Sequence, residues 1–458
     1  MSFDPALAEK RFGCGLSPVI APPSSLAEVM ARLAGPDRAA EVWPIEPFST
    51  FEVRIGEYAR LTKMGRRNKT TPEAKQARKD RLKLRRETAR EWLTWMGHAL
   101  SRRVTTEDGF RERLVFFWAD HFTAQGKGSI HRYAVGPYVE EVIRPRLTGR
   151  FVDLLRAAAT APLMIRALDQ TRSLGPNSQR AKKAKRGGLN ENLAREMLEL
   201  HTLGVGADYD QRDVTELAEL LTGMSYKAGE GFRFRPDWSE PGAETVLGVS
   251  YGGAGMASMA DIEAALEDLA RHPSTGEHLA RKLAVHFLGD APDPGLVASM
   301  AAAYRDSDGL LSEVYRAMLD HPAAWTGPGN IKQPVDFVGS GLRALDARDL
   351  PLRRQKMMQL MFVKPLALMG QPWEQPDGPD GWPEADDDWI TPQRLAGRLQ
   401  WALNVPPVLA DPLPDPRDFV EMALGGDVPE PLRFAAKAAE SRAEGIAIIL
   451  GSPAFQRM

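Results

Sequence analysis

Thr71-Pro72 is a helix-start signal, a capping hydroxyl followed by a proline at the first helical position, and it opens a helix that runs to about Arg102. At 1.5 Å per residue such a helix is about 45 Å long, so the fold that houses it must be built around helices. The segment 60–102 changes character along its length. Thirteen Lys or Arg stand between Arg60 and Arg90 against three acids, Glu73, Asp80 and Glu87, whereas Trp92, Leu93, Trp95, Met96 and Leu100 occupy its second half. This long basic-to-apolar helix should bury its second half and solvate its first.

Helical spacing recurs along the rest of the chain. Helices are expected at 6–12, 25–33, 110–122, 133–144, 151–159 and 162–168, then at 261–271, 275–288, 294–305 and 310–319. A polar loop at 174–188 carries Arg180, Lys182, Lys183, Lys185 and Arg186. Strand character is confined to 227–252, where the runs 231–236 and 244–248 flank a Pro-Gly turn and read as one small β-hairpin. A proline-rich connecting region, 371–416, separates last helices near 334–345, 392–401 and 431–445. The expected fold is therefore mostly α, a large multi-helix domain with a small β-hairpin insertion. With 458 residues, either a single helical domain spanning 1–458 or two packed lobes satisfies the size limit on one core.

A formal charge of -2 gives no global reason to expect nucleic acid. Residues 374–388 hold seven acids and no base, a run read as a solvated loop. Cys14 is the single cysteine, which excludes an intrachain disulfide and a multi-cysteine metal site. No basic n-region followed by an apolar run opens the chain, and no stretch approaches a membrane span, so the expected location is cytoplasmic. Dinucleotide-binding, P-loop, serine-hydrolase and zincin signatures are all missing from the sequence.

Three constellations remain. With Asn190 as N-cap, Glu191, Asn192, Arg195, Glu196, Glu199 and Thr202 share one helical face, opposite Leu193, Met197 and Leu200. Such a face suits ion pairing at i,i+4, a divalent cation, or a division of general acid and base roles between carboxylates. His201 falls on the apolar side, where a core histidine is expected. Asp210 with Asp213 reads as a capping box for the next helix in preference to a calcium loop. On the 275–288 helix, Thr275, His278, Lys282 and His286 fall within about 80° of one another. A solvated face is the simpler account; anion binding or proton transfer is the other. The third is Asp120-His121, at the end of an apolar helix, either a hydrogen-bonded anchor or a tuned catalytic pair.

The stretch Asn190-Glu191-Asn192-Leu193-Ala194-Arg195-Glu196-Met197-Leu198-Glu199-Leu200-His201-Thr202-Leu203-Gly204-Val205, followed by Tyr209, Asp213-Val214 and Leu221-Thr222-Gly223, resembles the bacterial domain of unknown function 1800 family. Trp118-Ala119-Asp120-His121-Phe122 is similar to that family's Trp-x-x-His-Phe segment, and His272 to Thr275 with Ala280, Lys282 and Phe287 to its downstream helix. Lys332-x-Pro334, Arg343-Ala344-Leu345, Gly370-Gln371-Pro372, Gly381-Trp382-Pro383, Trp389 and Arg398 resemble its closing motifs. The resemblance covers nearly the whole chain and implies no agreed activity. It implies a companion protein of the phosphatase and sulfatase class and, for many members, an exported location. This chain departs from the family at Ser239-Glu240, where relatives commonly carry His-Asp. An aromatic residue at position 201 in relatives supports a structural role for His201.

Two functions are carried forward. In the first the protein is an enzyme, a hydrolytic or metal-assisted one with a carboxylate and histidine cleft, acting on a polar substrate such as a saccharide. Glu196, Glu199, Asp120 and His121 would be its catalytic groups; Arg195, Asn192, Trp118, His278, Lys282 and Trp382 would bind substrate; a divalent metal stays open, with no ligands assigned. In the second the protein is a noncatalytic interaction or assembly protein, and the patch around Glu196 and Glu199 is a buried structural network.

Overall fold

A computed structural model describes residues 3–67, 70–183, 188–256, 258–426 and 428–458. Lys185 and Arg186 of the expected basic loop lie outside the described residues. The described residues are mostly α-helical, with two small two-stranded antiparallel sheets among them. No described helix is long and apolar enough to cross a membrane.

The expected 60–102 helix is two elements, Phe48–Arg66 and Pro72–Thr105, which pack along each other. The break follows from chemistry at 71 and 72: proline cannot donate into a continuing ladder, and the Thr71 hydroxyl accepts from the Ala74 N–H at 3.3 Å, starting a new helix. As expected, the second half of Pro72–Thr105 is the buried half, with Met96, Leu100 and Val104 fully enclosed. Most exposed positions of the first half are polar or charged.

Gly109–His121 is capped by Asp108, whose carboxylate accepts from Arg111 N at 3.1 Å. It is buried around most of its circumference, an environment that polar residues enter only with partners. Arg113 meets Asp336 at 3.1 Å, and Arg103 of the long helix pairs with the same carboxylate. Asp336 lies in Pro334–Ala344, a helix packed against the long one. Two guanidiniums on one buried carboxylate thus pin three helices together.

The single hairpin expected within 227–252 is replaced by two. Met224–Lys227 pairs with Gly231–Phe234, and Pro241–Val246 pairs with Val249–Met256. The runs around Phe232 and Glu244 do not pair with each other, because each finds a nearer partner across its own tight turn, at Ala228 to Glu230 and at Leu247-Gly248. Helicity also gives way at 197–201. There the α-helix Asn192–Glu196 continues as a π-helical turn, Met197–His201, so a uniform 100° wheel does not hold to its end.

Candidate functional site

The C-terminal two-thirds of Gly109–His121 divides three environments. Val115, Phe116, Ala119 and Asp120 face a groove of about 980 Å³, its solvent-open part included. Arg113, Phe117, Asp120 and His121 face a second, smaller space of about 480 Å³, its solvent-open part included. Trp118 faces neither. It is fully buried and its indole donates to the Tyr315 hydroxyl at 2.6 Å, so it is a core residue and not the substrate-binding residue expected there.

Asp120 is the one side chain of this stretch of helix that lines both spaces. Its Oδ1 accepts from the Trp382 N–H at 2.8 Å. Burial pushes its pKa up to about 7, against the opposing pull of that N–H and of Lys282; Glu384 and Asp380 add to the rise. Glu374, which lines the same groove, accepts from the Trp92 indole at 2.9 Å, and burial pushes it up to about 7 as well. The arginines of the wall are already paired: Arg102 with Glu140 at 2.8 Å, Arg144 with Glu112, Arg103 with Asp336. Among the described residues, Asp120 and Glu374 are the groove carboxyls without a cation within 4 Å. Trp373 and Trp382, both half-buried, complete the wall.

In the smaller space Lys282 reaches Glu384 at 3.3 Å. The His121 ring lies 3.2 Å from the His201 carbonyl through Nε2. A carbonyl only accepts, so Nε2 carries the proton and Nδ1 presents a bare lone pair without a partner. Burial, reinforced by Lys282, holds the pKa of His121 well below the ordinary imidazole value, and that of His286 falls to about 3 for the same first reason, reinforced by Arg113. Arg113 donates to His286 Nε2 at 3.2 Å. The face of Pro273–Leu288 read as solvated therefore points inward: Thr275 is enclosed and bonds the Leu269 carbonyl, while Lys282 and His286 line the small space. His278 is also corrected from substrate binder to anchor. Its Nε2 is 3.0 Å from the Leu200 carbonyl, and its ring packs where a side chain at Gly204 would stand.

Asp120, His121, Lys282 and Trp382 are thus brought together from three distant segments. The 190–202 patch lies apart: Asn192, Arg195, Glu196 and Glu199 line neither space. Arg195 bridges Glu191 at 3.2 Å and Glu199 at 3.3 Å and donates to Gln211 at 2.9 Å; Glu191 also accepts from Thr215 and Gln211. Glu196 is half-buried and its pKa is raised by burial first, then by Glu199 and Asp380. His201 is buried as expected, with a pKa near 3 caused by burial. Asp210 and Asp213 form the expected capping box. At the family departure, Ser239 and Glu240 are buried, and Glu240 accepts from the Asn177 backbone at 2.8 Å, a loop-to-loop joint.

Glu374 and Trp373 were missed by sequence reasoning, because an acidic run carries no mark of which member is buried. No three His, Cys, Asp or Glu side chains among the described residues gather so as to hold a metal ion. The metal-assisted half of the enzyme expectation therefore has no ligand set among them.

A family model described as a protein of unknown function, DUF1800, matches residues 16–457. No curated protein and no solved structure matches the chain.

Proposed function

The chain belongs to the DUF1800 family, and on that premise we propose that it is a hydrolase whose groove binds a saccharide-like substrate and protonates its leaving group from Asp120. The observation that carries this reading is the pairing of two charge-unpartnered carboxyls, Asp120 and Glu374, with Trp373 and Trp382 on one open groove. The Trp382 N–H occupies Oδ1 of Asp120 and leaves Oδ2 to hold the acidic proton. Near pH 7 each carboxyl is about half protonated, so the state with one acid and one base is well populated there. The tryptophan faces suit the apolar face of a sugar ring, and Lys282 partly offsets the rise in the Asp120 pKa, keeping it acidic enough to give up its proton.

Ligand-dependent melting across a glycan panel, followed by hydrolysis of the best binder, tests the reading. Asp120→Asn should bind that glycan with little change and hydrolyse it about 10²- to 10⁴-fold more slowly, the range for loss of one general acid. Flat melting curves over the whole panel would remove saccharides as the substrate class.

A structural role is the better reading for the 190–202 patch alone. There Glu191, Arg195, Gln211 and Thr215 satisfy one another across two helices, which supports a part in holding helix register. Glu196→Gln and Glu199→Gln should then leave turnover unchanged.

A further inference from the structure

On Pro72–Thr105 the exposed residues Lys75, Lys79, Lys83, Arg86 and Arg90 advance by four, four, three and four positions. At 100° per residue they fall within about 80° of one another, a straight stripe about 22 Å long. Only Lys83 has a carboxylate within 4 Å among the described residues, Glu87 at 3.9 Å. Lys63, Arg66 and Arg67, all exposed at the end of Phe48–Arg66, add charge from the neighbouring helix. The chain as a whole carries -2, so this is a local segregation of charge and not a general excess. Ala99 and Arg102, which line the groove, lie on the other side of the same helix.

We propose that this stripe is a docking surface for an acidic polysaccharide, a linear polymer of carboxylate-bearing sugars that it holds by its charges while the groove acts elsewhere along the chain. The polymer class rests on reading the groove as a saccharide site. Charge complementarity and the regular, one-turn spacing of the cations favour a linear polyanion. A lipid surface is disfavoured, because Leu82, 41% exposed, is the single apolar side chain on the stripe and offers little to insert. A single-stranded nucleic acid is disfavoured because no aromatic ring stands on the stripe to stack a base.

Calorimetric titration with polygalacturonate and with neutral dextran tests the surface without any turnover. The full chain should bind the charged polymer alone, and its affinity should fall by about 10²-fold between about 50 and 200 mM salt, the order expected when some five anions are neutralised. The triple variant Lys79→Gln/Lys83→Gln/Arg86→Gln should bind at least about 10-fold more weakly at low salt and melt like the parent. Asp120→Asn should bind the polymer as the parent does. The proposal is overturned by equal binding of dextran, by an unweakened triple variant, or by tighter binding to a duplex oligonucleotide or to phosphatidylglycerol vesicles. Salt-sensitive polymer binding with no hydrolysis of any glycan upholds the surface while removing the hydrolase reading. Hydrolysis of a small glycoside without polymer binding does the opposite.

Discussion

Asp120 is held at a boundary, and its chemistry follows from that position. Half-buried and given one backbone N–H instead of a cation, its carboxyl keeps its proton to about pH 7, against an ordinary value of 3.8. Folding therefore favours the protonated form. The stability it contributes is complete below about pH 4 and is lost as the pH rises through about 7. Asp120→Asn is neutral throughout, so its stability relative to the parent should grow between about pH 4 and 7 and then level off, as chemical denaturation at a series of pH values would record. A constant difference across that window would mean that the carboxyl is ionised in the folded protein. The buried histidines pull the other way. His201 and His286, with pKa values near 3, and His121 fold as neutral rings, and their contribution is lost as the pH falls from the ordinary 6.5.

At the scale of elements, the site is a meeting of a helix end with a loop. Gly109–His121 supplies Asp120, and the segment Gly378 to Glu384 closes against it, with Gly381 at a φ of +83° lying directly on the carboxyl. An added Cβ at 381 would collide with Asp120 Oδ1 and would have to adopt a left-handed backbone. Gly381→Ala should cost about 1–3 kcal/mol and displace the Trp382 N–H, which thermal unfolding and the tryptophan emission spectrum would detect. An unchanged melting point would show that the loop does not depend on this contact. The helix itself was legible from the apolar run at 110–122. The loop was not, because seven acids in fifteen residues look alike in sequence while Glu374 is tucked under Trp92 and Glu384 reaches Lys282.

For the molecule as a whole, the buried Arg103–Asp336–Arg113 cluster joins the long helix, the site helix and Pro334–Ala344 behind the groove. Asp336→Asn would leave two guanidiniums without their counter-ion, a change that should cost about 3–5 kcal/mol, measured by denaturant unfolding. A loss within experimental error would mean that solvent or another group compensates the arginines. Period and punctuation in the sequence determined the helical class, the caps at Thr71 and Asp210, the buried half of Pro72–Thr105 and the inward turn of His201, since each depends on neighbours three or four residues away. Tertiary structure alone decided that Trp118 is core, that His278 is an anchor, that the 190–202 patch stands outside the groove, and that Asp120 and Glu374 line one groove. Those outcomes depend on which surfaces meet across hundreds of residues, and it is that meeting, by removing water, that gives a carboxyl its proton.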